Sequence, residues 1–140
     1  MWGRSIGSAV AVRLAADDGS VTGGTAPNPP GLAGIVLESP FTSVPDLLRA
    51  GGHWILYAAS RFGTYRFDSA ARIGRVRASV LVIHGTADEI APFGLGRRLF
   101  ELAPGRKELV AIEGGRHNDM WALHEDAVWG AVQSFLSSLE

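Results

Sequence analysis

Short runs of apolar residues alternate with segments of helical periodicity along this chain. Residues 33–37 (AGIVL) and 79–84 (SVLVIH) are continuous apolar runs of strand length, which are typical of parallel strands buried on both faces. Residues 108–113 (ELVAIE) predict a third strand. Helices are predicted before, between and after these runs. Such alternation predicts an α/β fold with a parallel sheet and right-handed crossovers.

Apolar residues at helical spacing, together with capping residues, indicate the helices. Residues 6–16 predict a helix of small residues, and residues 93–103 predict an amphipathic helix that Pro104 ends. Another helix is expected to begin after Ser43, whose hydroxyl is a favourable N-cap. A terminal helix is predicted over residues 120–139, where these apolar residues recur at helical spacing: Val128, Val132, Phe135, Leu136 and Leu139.

Two segments have no clear periodicity. Residues 17–32 are rich in Gly, Pro, Asp and Ser and predict a surface loop. Residues 53–67 (HWILYAASRFGTYRF) are rich in aromatic side chains and fit either packing under the domain or a lid over a cleft. Packing is the favoured interpretation, because aromatic clusters are more often packed than used for binding.

The composition limits the classes of function. The chain has 140 residues, which is one domain at most, and its net charge of −1 gives no electrostatic basis for binding nucleic acid or an anionic membrane. It contains no Cys, which excludes disulfides and thiolate metal sites, and the spacing of its His, Asp and Glu residues indicates no metal site. No apolar run could span a bilayer and no signal peptide is visible, so a cytoplasmic location is expected.

Residues 3–7 (GRSIG) form a Gly-x-Ser-x-Gly motif. In a nucleophile elbow, such a serine occupies a tight strand-to-helix turn with its hydroxyl exposed in a cleft. Gly3 and Gly7 are expected to be required, because a Cβ at either position would collide with the turn. The alternative is a Gly-capped helix start with an incidental serine. Only two residues precede the motif, so we predict no strand there; either Ser5 is not on an elbow or the chain begins inside a larger domain.

Loops that follow the predicted strands carry the other candidate catalytic residues. Serine catalysis requires a nucleophile, an imidazole base and a carboxylate that orients the imidazole. Asp88 follows the second predicted strand and His117 follows the third. Since ligand sites in parallel sheets form at the carboxyl ends of the strands, we expect both residues at the same edge of the sheet as Ser5.

With these residues identified, the chain resembles the C-terminal part of the α/β-hydrolase fold. It is most similar to a small cap-less branch of serine hydrolases that includes protein depalmitoylases. Besides GRSIG, three stretches carry the resemblance: Leu37 to Ser43 (LESPFTS), Val80 to Pro92 (VLVIHGTADEIAP) and Gly114 to Asp119 (GGRHND). The resemblance implies that Ser5 is the nucleophile, Asp88 the acid and His117 the general base. It also implies that Ile6 supplies one oxyanion-hole donor through its backbone N–H.

The resemblance further implies a partial domain. Residues 1–140 would run from the nucleophile elbow to the C-terminal helix of an α/β-hydrolase domain, with about three parallel strands flanked by helices and the N-terminal strands missing. The 33–37 strand would then have an unpaired edge, and the loop with the second oxyanion donor would be absent. A truncated gene product or a mis-called start is the expected explanation.

The leading functional hypothesis is a serine hydrolase that cleaves carboxylic ester or thioester bonds through an acyl-enzyme, without a cofactor. The expected partner is a small-molecule or acyl-protein ester substrate and not a nucleic acid, and membrane association is left open. The alternatives are a catalytically inactive fragment or interaction module that requires a partner chain, and a serine peptidase of the same fold. A nucleotide-binding domain is disfavoured, because the motif lacks the third glycine and preceding strand of a dinucleotide fingerprint.

Other titratable residues have alternative roles. Glu38 also ends a predicted strand and is a rival orienting acid, although a structural hydrogen-bonding role is favoured. Asp119 is a candidate cap for the last helix. His84 is expected to be a structural histidine, and His53 and His124 are expected to be packing or surface residues.

Overall fold

The computed structural model describes residues 1–17, 31–60 and 66–139. Within these ranges, four parallel strands form one sheet in the order β1-β2-β3-β4: β1 (Trp2–Arg4), β2 (Gly34–Glu38), β3 (Ser79–Gly85) and β4 (Lys107–Ile112). Strands β2, β3 and β4 lie within a residue of the predicted apolar runs, so the predicted α/β class with a parallel sheet is confirmed. The predicted 17–32 loop lies mostly outside the described residues.

Strand β1 is the main difference from the sequence prediction. Its residues pair with β2 in the register Trp2↔Val36, Gly3↔Leu37 and Arg4↔Glu38. The prediction that no strand precedes Ser5 was therefore wrong, and so was the prediction of an unpaired edge on β2. Three residues with exposed, buried and exposed side chains are too few to give a hydropathy signal.

The described helices occupy the positions between and after the strands, and their bounds are α1 (Ile6–Ala15), α2 (Val44–Ala50), α3 (Trp54–Ser60), α4 (Ala70–Ile73), α5 (Phe93–Leu102), α6 (Met120–Leu123) and α7 (Glu125–Ser137). Helix α2 begins as predicted, with the Asp46 N–H donating to Ser43 Oγ at 3.2 Å. The predicted terminal helix is instead two helices, because His124 leaves helical geometry with φ −134°. None of these helices is both long and apolar enough to cross a membrane.

The sheet separates two apolar cores. Alternate residues of β3 point to opposite faces, so that Val80 and Val82 pack with α1 and α5, whereas Leu81 and Ile83 pack with α7. Every residue of β2 is buried. Because both faces are covered, the central strands are held rigidly and the loops at their carboxyl ends start from fixed positions.

Helix α3 does not pack as predicted. It has no buried residue, and Trp54, Ile55 and Leu56 are exposed to 67%, 86% and 56%. Trp54 contacts Tyr57 edge-on at a centroid distance of 6.4 Å. The packing interpretation is therefore wrong for residues 54–60, because aromatic content alone does not decide burial, and residues 61–65 lie outside the described ranges.

Candidate active site

Ser5 occupies a tight turn between β1 and α1. Its N–H donates to the Glu38 carbonyl at 2.8 Å, which continues the β1–β2 ladder up to the serine itself. The residue has φ 51° and ψ −120°, a backbone conformation that is strained for any residue with a side chain. Backbone strain of this kind costs on the order of 1–3 kcal/mol and persists where the surrounding structure enforces it.

The two glycines of the motif have different roles. A Cβ on Gly3 would lie 2.3 Å from the carbonyl oxygen of Gly7, which is a backbone atom that cannot move aside. A Cβ on Gly7 would meet no atom of the described residues within 4 Å. The predicted need for glycine is therefore correct for Gly3 and wrong for Gly7. Gly7 is in the first turn of α1, where a Cβ would point away from the packed backbone.

The structure brings the side chains of Ser5, His117 and Asp88 into one hydrogen-bonded chain. His117 Nε2 lies 3.1 Å from Ser5 Oγ, and His117 Nδ1 lies 2.9 Å from Asp88 Oδ2 and 3.0 Å from Oδ1. Since an ionised carboxylate only accepts hydrogen bonds, Nδ1 carries the proton and Nε2 is left to accept from the serine hydroxyl. Both His117 and Asp88 are buried, each with 6% exposure.

Asp88 is held in its ionised form. Burial by itself raises the pKa of Asp88, but hydrogen bonds from His84, from the Ala91 N–H and from His117 outweigh it, so the pKa lies well below its ordinary value. The N–H groups of Ile90 and Ala91 both donate to Oδ1, at 3.0 and 2.7 Å. The carboxylate is thus held in place by its own loop, independently of its contact with the imidazole.

The acid and histidine loops are joined by backbone contacts. The Ala87 N–H donates to the Gly115 carbonyl at 3.0 Å, and the Gly114 N–H donates to Thr86 Oγ1 at 2.9 Å. The approach is so close that a Cβ on Gly85 would lie 2.1 Å from the Gly115 carbonyl oxygen. These contacts fix the relative positions of Asp88 and the loop that carries its histidine partner.

Ile6 is the first residue of α1, so its N–H belongs to the helical turn whose amides have no intrahelical acceptor. Such amides, at the positive end of the helix, stabilise negative charge. The oxyanion-hole role of Ile6 remains a prediction.

Glu38, the rival orienting acid, and Asp119, the candidate helix cap, have other partners. The Glu38 carboxylate forms an ion pair with the Arg4 guanidinium at 3.1 Å and accepts a hydrogen bond from Trp121 Nε1 at 3.0 Å, so its partners are other than the imidazole. Asp119 makes no capping hydrogen bond to a helix; its Oδ1 accepts the Arg116 N–H at 2.7 Å. The predicted cap was therefore wrong, because Asp119 turns back to close the histidine loop.

His84 is buried behind Asp88. Its Nε2 lies 2.7 Å from the Ala91 carbonyl oxygen and 3.5 Å from Asp88 Oδ2, and its ring meets Phe93 edge-on. A Cβ on Gly96 would lie 2.0 Å from its Nδ1, so α5 approaches this ring closely. The contacts agree with the structural role expected for His84, and sequence reasoning missed its contact with Asp88, which the spacing of four residues at the strand end could have suggested.

Arg4 and Trp121 were not singled out from the sequence, although both contact residues that were. Arg4 Nη2 donates to the carbonyl of His117 at 2.5 Å. An arginine at the second position of the Gly-x-Ser-x-Gly motif was the available signal, because the residue before the serine must lie beside the catalytic loops.

Comparison with known proteins gives the family context. No family model matches the chain. It is 35% identical over 136 residues to the uncharacterized protein Rv2307c of Mycobacterium tuberculosis, covering 97% of this chain and 43% of that protein. It is 32% identical over 123 residues to the human alpha/beta hydrolase domain-containing protein 17B, covering 86% of this chain and 35% of the relative. The chain thus spans less than half the length of these relatives.

Other similarities agree. Over 123 residues the chain is 30% identical to the lysophosphatidylserine lipase ABHD12 of Danio rerio, covering 78% of this chain and 30% of the lipase. Est1E from Butyrivibrio proteoclasticus superposes on 99% of this chain with a TM-score of 0.70 at 18% identity, and 60% of Est1E is covered. The Rhodococcus esterase RhEst1 gives a TM-score of 0.68 at 17% identity, with 99% of this chain and 65% of the esterase covered. The chain therefore has the α/β-hydrolase fold and corresponds to a C-terminal portion of the larger solved chains.

Proposed function

We propose that the protein is a serine hydrolase that cleaves carboxylic esters or thioesters through an acyl-enzyme, with Ser5 as nucleophile, His117 as general base and Asp88 as the orienting acid. The observation that supports this proposal most directly is the hydrogen-bonded chain from Ser5 Oγ through the imidazole to the Asp88 carboxylate. The Danio rerio relative is named a lipase, which supports ester chemistry within the family.

The reaction follows from the geometry. Ser5 Oγ attacks the substrate carbonyl carbon while His117 Nε2 takes the hydroxyl proton, and the Ile6 N–H stabilises the oxyanion that forms. Collapse of the tetrahedral intermediate breaks the bond to the alkoxide or thiolate, which receives the proton from His117. A water molecule then attacks the acyl-enzyme, again with His117 as base, and releases the carboxylic acid and Ser5. Throughout, the Asp88 carboxylate stabilises the imidazolium.

Labelling with a fluorophosphonate probe tests the nucleophile. The unmodified protein is expected to be labelled at Ser5, and Ser5→Ala is expected to lose both labelling and hydrolysis of nitrophenyl esters. Ser134→Ala is the matched control, because Ser134 is exposed on α7, away from the site. Labelling that survives Ser5→Ala, or an unmodified protein that is not labelled, would contradict the proposal.

The substrate class is tested separately, by comparing the turnover of different acyl substrates by the same protein. We expect turnover of acyl esters and acyl thioesters, and no turnover of a peptide with the same acyl group. Preferential cleavage of the peptide would favour a serine peptidase. Absence of all three activities in a folded protein would favour an inactive fragment or interaction module that requires a partner chain.

A further inference from the structure

A buried carboxylate lies beside the candidate site without touching the imidazole. Glu38 is 1% exposed at the end of β2; its Oε1 forms an ion pair with Arg4 Nε at 3.1 Å and accepts a hydrogen bond from Trp121 Nε1 at 3.0 Å. A buried carboxylate is costly unless it is paired and hydrogen-bonded, and these two contacts meet both requirements. We refer to Arg4, Glu38 and Trp121 as the Glu38 cluster.

The cluster joins the two sides of the candidate site. Arg4 immediately precedes Ser5, and the Glu38 carbonyl accepts the Ser5 N–H at 2.8 Å. From the same arginine, Nη2 donates to the carbonyl of His117 at 2.5 Å and to Asn118 Oδ1 at 3.3 Å. One guanidinium therefore bridges the buried carboxylate and the backbone of the candidate base.

The arginine depends on Glu38 for its orientation. Its side chain is 41% exposed and has long, flexible torsions, whereas the Glu38 side chain is 2% exposed and fixed. A planar guanidinium that uses Nε for the carboxylate directs Nη2 to a defined second position, which a lysine ammonium could not do. Without the carboxylate, we expect the guanidinium to leave His117 for solvent.

Trp121 holds the other end of the histidine loop. Its indole donates to the same Glu38 oxygen, and its ring contacts those of Trp2 and Trp129, each at a centroid distance of 5.6 Å. The loop is thus attached to Glu38 through Arg4 at residue 117 and through the indole at residue 121.

We propose that the Glu38 cluster positions His117 for the reaction: Arg4 is a positioning residue that acts through the His117 carbonyl, and Glu38 acts through Arg4 and Trp121. This inference rests on the proposed function. It predicts a specific defect, since the cluster contacts the His117 carbonyl and the Ser5 N–H and makes no hydrogen bond to Ser5 Oγ or the imidazole. Loss of the cluster displaces the imidazole relative to Ser5 Oγ, which slows acylation and leaves substrate binding unchanged.

The test compares Arg4→Met and Glu38→Gln with the unmodified full chain. Each is expected to lower the fluorophosphonate labelling rate and kcat by about 10- to 100-fold with KM unchanged, since a misplacement of about 1 Å can cost about 10²-fold. The double variant is expected to be no slower than the slower single variant, because the two residues act in series. Arg98→Met and Glu101→Gln are the matched controls, since Arg98 and Glu101 form an exposed pair on α5 at 3.5 Å.

A second readout does not require activity. The Nδ1 proton that His117 donates to Asp88 should give a far-downfield proton resonance, and we expect it to shift or broaden in Arg4→Met and to stay unchanged in Arg98→Met. If Arg4→Met fails to fold, Trp121→Phe replaces the indole with a smaller aromatic ring that has no N–H donor; it should slow labelling by a smaller factor with KM unchanged.

The two hypotheses fail in different ways. An unmodified protein that is never labelled contradicts the proposed function, and the proton resonance then still decides whether Arg4 positions His117. Labelling of Arg4→Met and Glu38→Gln at the rate of the control variants, with an unshifted resonance, would overturn the positioning role. A rise in KM with kcat unchanged would overturn it too, because it would place the cluster in substrate binding.

Discussion

The buried Asp88 side chain accepts hydrogen bonds from several neighbouring groups at once. Its carboxylate accepts hydrogen bonds from two backbone N–H groups and from His117, and His84 approaches within 3.5 Å. These contacts keep the pKa of Asp88 below its ordinary value in spite of burial. The acid therefore stays ionised down to pH values at which an ordinary Asp takes up a proton.

Replacement of Asp88 by asparagine tests whether its carboxylate orients His117. In Asp88→Asn, the amide presents N–H donors to His117 and favours the tautomer with Nδ1 unprotonated, which leaves Nε2 unable to accept the Ser5 proton. We expect kcat to fall by about 10³- to 10⁴-fold near neutral pH. The matched control is Asp126→Asn, an exposed residue in the first turn of α7, which should keep full activity. A loss of less than tenfold in Asp88→Asn, measured by ester hydrolysis, would remove Asp88 from the mechanism.

At the scale of elements, the turn between β1 and α1 depends on one of its two glycines. Gly3→Ala would place a Cβ 2.3 Å from the Gly7 carbonyl oxygen, so that either the turn or the start of α1 must move. We expect it to cost about 1–3 kcal/mol in the free energy of unfolding, as overpacking does. Because Ser5 lies inside the same turn, labelling at Ser5 should also slow.

Gly7→Ala is the comparison within the same motif. Its Cβ would meet no atom within 4 Å in the part of the chain that the structure describes, and alanine favours the helix by up to about 1 kcal/mol over glycine. Urea unfolding should therefore separate the two variants, with Gly3→Ala destabilised and Gly7→Ala unchanged or stabilised. Equal destabilisation of both would show that the turn needs glycine for a reason other than the close approach at Gly3.

The elements differ in how far the sequence predicts them. Strands β2 and β3 are runs of adjacent apolar residues that are almost entirely buried, which makes them easy to find, whereas β4 has a shorter apolar run at its C-terminal end and only Ile112 is buried. Strand β1 could not be found in this way, because its three residues depend on pairing with β2 and carry no pattern of their own. The break at His124 and the exposure of α3 are likewise set by backbone geometry and neighbouring elements, which periodicity does not record.

The residues of the candidate site also differ in how far the sequence predicts them. Ser5, Asp88 and His117 could be chosen because a motif, a chain order and the ends of predicted strands restrict the options. The Glu38 cluster could not, because Arg4, Glu38 and Trp121 come together only when β1 lies beside β2 and the histidine loop folds over both. The role of Gly7 was misjudged because a motif does not reveal which glycine faces packed atoms.

At the scale of the whole molecule, every candidate catalytic residue is attached to a strand end. Ser5 follows β1, Glu38 ends β2, Asp88 follows β3 and His117 follows β4. Two apolar cores pack against these strands on opposite faces of the sheet, so the sheet sets the distances between the site residues. The stability of the fold and the geometry of the site are therefore coupled. The ionised Asp88 carboxylate should accordingly contribute to the free energy of unfolding of the whole chain.

Acid unfolding measures that coupling. The folded-state pKa of Asp88 is depressed, whereas its unfolded value is about 3.9, so the unfolded chain binds more protons as the pH falls through this region. The stability that ionised Asp88 contributes is then fully present above about pH 5 and is lost progressively below about pH 4. We expect the difference in unfolding free energy between the unmodified protein and Asp88→Asn to be largest at neutral pH and to shrink on acidification. Urea titrations from pH 7 to pH 3 measure it, with Asp126→Asn as control, and a difference that stays constant would mean that folding does not depress the pKa of Asp88.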